Sequence, residues 1–137
     1  MILKKEPKRQ KQKPDIPIWH RGVKALQQKK VLNLVVLDVD GITSFTDTFV
    51  IASGKSSRQV SAVGEHVLDC LKKEGIRPLG VEGLQQGHWV LIDYGDVVIH
   101  IFFEPVREFY DLEGLWADAK KIPTEKVKKK STVQKKA

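Results

Sequence analysis

Regular alternation of apolar and polar positions begins at Trp19. From there to Lys30, Trp19, Val23 and Leu26 fall on one stripe at helical spacing, which predicts a helix. Val31 to Val39 (VLNLVVLDV) is rich in branched apolar residues and predicts a buried strand, ended by Asp40-Gly41. Thr48 to Ser53 (TFVIAS) predicts a second short strand. Gly54-Lys55-Ser56-Ser57 then supplies a turn and an N-cap serine. Val60, Val63, Val67, Leu68 and Leu71 follow at helical spacing until Gly75 stops the helix. Pro78 to Glu82 predicts a short strand. Glu104 to Trp116 predicts helical turns with Val106, Phe109, Tyr110 and Leu112 on one side. Strands interleaved with helices predict a small single α/β domain built on a mixed β-sheet.

The clearest local signal is HWVLIDY and VVIHIFF separated by Gly95-Asp96, a pattern that predicts a two-residue type II′ hairpin. The turn sets the register. Tyr94 then lies opposite Val97, followed by the pairs Asp93–Val98, Ile92–Ile99, Leu91–His100, Val90–Ile101 and Trp89–Phe102. Alternation puts Val90, Ile92, Tyr94, Val97, Ile99 and Ile101 on one apolar face, the expected core. The other face carries Trp89, Leu91, Asp93, Val98, His100 and Phe102. Large apolar groups with a few directional polar ones make up a protein-binding patch, with Trp as its anchor. The competing expectation is that a terminal segment or a third helix covers this face.

Composition narrows the class. A chain of 137 residues with 41% hydrophobic and 30% charged residues is an ordinary single globular domain. Its one cysteine, Cys70, makes no internal disulfide, and no Cys/His spacing suits zinc. No apolar run approaches the ~18 residues of a membrane span, and the opening residues have no signal-like apolar core. A cytoplasmic protein is expected.

The net charge of +7 divides unevenly. Residues 1–30 hold ten Lys/Arg and two Asp/Glu, and residues 118–137 hold eight and two. Residues 31–117 hold six against thirteen, so an acidic body lies between basic ends. Basic flexible tails are expected over 1–17 and 120–137, around a domain at 18–119. Such tails suit salt-sensitive attraction to a polyanion such as RNA. The acidic body suits a basic protein surface.

Three enzyme patterns compete with a binding role. LVVLDVDGITS at 34–44 places Asp38 and Asp40 two apart at a strand end, resembling the first motif of haloacid-dehalogenase-type phosphatases. The Lys and the downstream acidic pair that this chemistry requires are not in place. Gly54-Lys55-Ser56-Ser57 lacks P-loop spacing and reads as a helix cap. Asp93 and His100 are diagonal hairpin neighbours, ~7–8 Å apart, with no nucleophile placed to join them. His20, His66 and His88 form no ligand cluster with His100.

Four pieces in order then point to one family. VVLDVDGITSFTDTFVIASGKSSRQV at 35–60, RPLGVEG at 77–83, HWVLIDYGDVVIHIF at 88–102 and REFYDLEGLWADA at 107–119 resemble the ribosomal silencing factor (RsfS, or Iojap) family. The resemblance covers about Ala25 to Ala117. It implies a small mixed-sheet α/β fold of nucleotidyltransferase-like outline, no catalysis, no cofactor and no metal. It also implies binding to the large ribosomal subunit through ribosomal protein L-fourteen, where the small subunit would dock. The family pattern asks for no acid at the Asp40 position, which makes the Asp-x-Asp incidental. The implied partner surface is Trp89, Leu91, Asp93, Tyr94, Gly95 and Asp96. Trp89 and Leu91 are then apolar anchors. Asp93 with nearby Glu104 would pair with basic groups, and His100 and Phe102 would fill out the patch. For Tyr94 the register, which points its ring at the core, and the resemblance disagree. Homodimer formation off the ribosome is a further expectation from the apolar sheet face. A large-subunit assembly role without silencing, or Mg²⁺-dependent phosphotransfer at Asp38 and Asp40, are the alternatives.

Overall fold

The structure, a computed structural model, describes residues 16–124. In chain order its elements are α1 (Ile18–Gln27), β1 (Leu32–Asp38), β2 (Thr48–Gly54), α2 (Ser57–Lys72), β3 (Gly80–Glu82) and β4 (Trp89–Asp93). Then come β5 (Val97–Phe103), α3 (Glu104–Tyr110), α4 (Leu112–Leu115) and β6 (Lys120–Ile122). The strands form one sheet in the order β3-β4-β5-β2-β1-β6. Only β2 and β5 run parallel, with Thr48 opposite Val97 and Gly54 opposite Phe103, so the sheet is mixed as expected.

The helix starts follow local chemistry. Ser56 caps α2, its side chain accepting from the Gln59 amide at 3.1 Å, while Gln59 Oε1 accepts from the Lys55 amide. One orphan donor of the first turn, the Gln59 amide, and the Lys55 amide just before the cap are thereby satisfied. Gly54-Lys55-Ser56-Ser57 is therefore a cap. The hairpin register is the predicted one pair for pair, from Trp89–Phe102 to Asp93–Val98. Gly95 supplies the positive φ (90°) that the first loop position of a type II′ turn demands, and Asp93 Oδ1 accepts from its amide at 2.8 Å.

Alternation along the strands divides the core into two layers. On the first face Val36, Val50, Ala52, Val90, Ile92, Tyr94, Val97, Ile99 and Ile101 pack under α1 and α2. Glycines let the helices approach closely. A Cβ on Gly22 would stand 2.9 Å from Ile99, and one on Gly64 2.9 Å from Leu84 and 3.1 Å from Val90. On the second face Leu37, Val39, Phe49, Ile51 and Phe102 pack with Val106, Leu112 and Trp116.

Three expectations need correction. The C-terminal tail placed at 120–137 begins too early, because Lys120–Ile122 is a strand paired antiparallel with β1 through Lys120–Asp38, Lys121–Leu37 and Ile122–Val36. Residues 1–15 and 125–137, which hold most of both basic ends, lie outside the described residues. The helical turns over 104–116 are broken in two at Asp111, which takes a left-handed conformation (φ 46°). Phe109 and Tyr110, expected on the packed side, are 80% and 52% exposed.

Candidate functional site

The second sheet face, where the hairpin sequence placed a binding patch, is partly covered by α3, α4 and the turn that follows them. Phe102 is fully buried and His100 only 5% exposed, so neither is a surface contact as expected. Phe49 and Phe102 frame the imidazole, with ring centroids 5.1 and 6.2 Å away. Trp116 lies edge-on to Phe49 at 5.4 Å. Burial pushes the His100 pKa down to about 4, so its imidazole is neutral at neutral pH.

Tyr94 is likewise inside, on the α1/α2 face. The register decided its position over the resemblance. Burial raises its hydroxyl to about 12, and that hydroxyl has no hydrogen-bond partner among the described residues.

Trp89 is the half-buried aromatic of the face. Its ring stacks on Phe102 at 4.8 Å and meets Tyr110 at 5.0 Å, and its Nε1–H donates to His100 Nδ1 at 3.1 Å. Tyr110 in turn contacts Phe109 edge-on at 5.1 Å. Trp89, Tyr110 and Phe109 therefore form one aromatic ridge whose outer members are exposed, and Leu115 is 74% exposed on the adjoining α4. Helical periodicity pointed Phe109 and Tyr110 inward. The signal for their exposure is Pro105 at the start and Asp111 at the end, which leave a helix of seven residues, too short to sink a broad stripe.

Leu91 and Asp93 are half-buried on β4, and Asp93 already spends an oxygen on the turn. Glu104 is not near Asp93. Asp93 pairs with Val98 beside the turn, whereas Glu104 follows the far end of β5 and accepts from Asn33 Nδ2 at 3.0 Å. It belongs instead to an acidic groove lined by Asn33, Leu34, Val35, Glu104, Arg107, Glu108, Asp111 and Glu113. The groove is held by Arg107, which is 7% exposed. Its Nε and Nη2 donate to both oxygens of Glu113 at 3.0 and 2.9 Å, and Nη1 donates to Ser53 Oγ at 2.8 Å. The hydrogen bonds from Arg107 lower the Glu113 pKa. Arg107 was invisible as a core residue in the sequence, because a lone cation reads as surface.

The Asp38–Asp40 pair is built as a turn. Asp38 Oδ1 accepts from the Asp40 amide at 3.1 Å, the geometry of a strand running into an Asx turn. Asp47 nearby has a raised pKa, from desolvation first and then from the carboxylates of Asp40, Asp96 and Asp38. Asp93 and His100 lie diagonally on the hairpin, and the imidazole is committed to Trp89.

The chain is thus a mixed-sheet α/β domain with a half-open aromatic ridge and an acidic margin. Relatives place it more closely. A family model described as "Ribosomal silencing factor during starvation" (RsfS) matches residues 13–137. A ribosomal silencing factor RsfS from Halalkalibacterium halodurans is 40% identical over 106 residues, covering 77% of this chain and 91% of that protein. The mouse protein "Mitochondrial assembly of ribosomal large subunit protein 1" is 33% identical over 97 residues, covering 69% of this chain and 42% of that protein. A crystal structure of a Chromobacterium violaceum protein, 39% identical, aligns with a TM-score of 0.71 over 73% of this chain and 83% of that one. The chain belongs to the ribosomal silencing factor family.

Proposed function

We propose that this protein docks on ribosomal protein L-fourteen of the large ribosomal subunit, in the cytoplasm, and blocks subunit joining by occupying space. The observation that carries the reading is the ridge of Trp89, Tyr110 and Phe109, with Leu115 exposed on the helix that follows, set on an acidic body. An exposed apolar ridge rimmed by charge is the anatomy of an interface core, and aromatic anchors supply most of the binding energy in such patches. Trp89 and Leu91 are the anchors from the hairpin, and Phe109, Tyr110 and Leu115 extend them. Asp93 and the acidic groove at Glu104 and Glu108 meet the basic side of the partner, which speeds encounter more than it strengthens the complex. The basic residues at both ends add salt-dependent attraction to ribosomal RNA. Off the ribosome the same ridge pairs two copies.

Repression then needs no chemistry. A domain of this size on one subunit overlaps the volume of the other, and translation falls with the number of joined ribosomes. The test is a sucrose-gradient profile of purified large and small subunits with the protein added before mixing. Co-sedimentation with the large subunit and fewer joined ribosomes support the reading, and Trp89→Ala then loses more than ~2 kcal/mol of binding while circular dichroism shows it still folded at the assay temperature. Binding without loss of joined ribosomes moves the role to large-subunit assembly, the role that the mouse relative's name describes. Failure to bind sinks both.

A further inference from the structure

The half-buried indole of Trp89 rests on Phe102 and Tyr110, and ring stacking of this kind sets the plane of the indole without deciding which of its two χ2-flipped orientations it takes. One directional contact removes that freedom. It is the hydrogen bond from Nε1–H to His100 Nδ1 at 3.1 Å, the indole's one hydrogen bond among the described residues. Turning the indole over about its Cβ–Cγ bond would carry Nε1 away from the imidazole and expose a different ring edge.

The imidazole is poorly explained by packing alone. A neutral ring that accepts at Nδ1 carries its proton on Nε2, and that atom is buried without a hydrogen-bond partner among the described residues. Leaving a buried donor unmet is costly, and a leucine between Phe49 and Phe102 would avoid it. The compensating gain lies at Nδ1. Burial keeps the ring neutral near pH 7, so Nδ1 stays an acceptor under ordinary conditions.

We propose that His100 is a positioning residue for the docking surface: from inside the core it holds Trp89 through Nδ1 and sets which edge of the indole faces the partner. The proposal rests on the reading of Trp89 as an anchor. It reassigns His100 from a contact in the patch to its internal support, and it makes the ridge pre-organised, so that little side-chain freedom is lost on binding.

The test uses the full chain, with His100→Asn and His100→Leu. Asparagine puts Oδ1 where Nδ1 stood and keeps an acceptor for the indole, whereas leucine fills the space without one. The Trp89 indole N–H signal in nitrogen–proton NMR, assigned by its loss in Trp89→Phe, is expected to move in His100→Leu and to stay close to its original position in His100→Asn. Affinity for the large subunit is expected to fall about tenfold in the leucine variant and by no more than about threefold in the asparagine variant. Equal losses in both, with both folded, would reduce His100 to a packing residue and overturn the proposal. If the variants do not fold, the unmodified protein decides. Scalar coupling across the hydrogen bond between Trp89 Nε1 and His100 Nδ1 must be present, and its absence overturns the proposal. Unchanged affinity in Trp89→Ala would instead sink the anchor reading and leave the NMR result standing.

Discussion

The two faces of the sheet are built to different standards. Under α1 and α2 the first face is a mainly apolar layer, with the Tyr94 hydroxyl and Thr48 as polar exceptions. The second face holds a neutral histidine, a buried arginine pair and a tryptophan left half open. Helix length accounts for the difference. α1 and α2 run for ten and sixteen residues, enough to roof a sheet, whereas α3 and α4 have seven and four. Short helices leave aromatic surface uncovered, and that remainder is where a partner has something to bind. The first face holds the fold, and the second leaves part of its apolar surface open, where the proposed partner would bind.

Breaking the first face has the largest expected effect. Ile99→Ala, at a fully buried site facing Gly22, is expected to cost about 4 kcal/mol in urea unfolding, with binding lost only as folding is lost. A smaller effect separates the faces by pH. His100 has a folded pKa of about 4 against an ordinary 6.5, so between these values the unfolded chain binds more protons. Stability is complete above pH 6.5 and falls as pH drops toward 4, by on the order of 3 kcal/mol, and thermal melting of His100→Asn should lose that portion of the slope. Glu113→Ala leaves the Arg107 guanidinium buried and unpaired. It is expected to cost about 2 kcal/mol, below the usual range for buried pairs because the carboxylate is a third exposed. Phe109→Ser, at a residue 80% exposed, is the sharpest contrast and the smallest change in stability, within about 0.5 kcal/mol. It should still weaken large-subunit binding in a sedimentation assay, and an unchanged affinity would remove α3 from the docking surface.

The same division decides what was readable beforehand. The first face followed from periodicity and turn chemistry, because Gly95-Asp96 sets a register that carries Tyr94 inward and Trp89 to the other side. Ser56 was recognisable as a cap because capping is local. The second face depends on contacts distant in sequence. Arg107 reaches Ser53 fifty-four residues away, and Asn33 reaches Glu104 across seventy-one. No window along the chain contains either pair. Lys120–Ile122 has two charged residues in three and no strand signal of its own; its pairing with the margin of β1 makes it a strand. Phe109 and Tyr110 obeyed a helical stripe that the left-handed Asp111 cut short.

Both margins of the sheet are three-residue strands, β3 and β6, and each carries charge at Glu82 or at Lys120 and Lys121. Where β6 stops, β1 departs from regular pairing, with Asn33 at φ 46° and a register shift between Leu32 and Val35. Stacking of copies through amide ladders needs a long, flat, uncharged border, and this molecule has none among its described residues. Short, charged borders of this kind disfavour association edge to edge at any concentration. The exposed ridge on the second face and the blunted borders therefore lie on different parts of the described domain, so contact through the one need not extend into a growing sheet through the other.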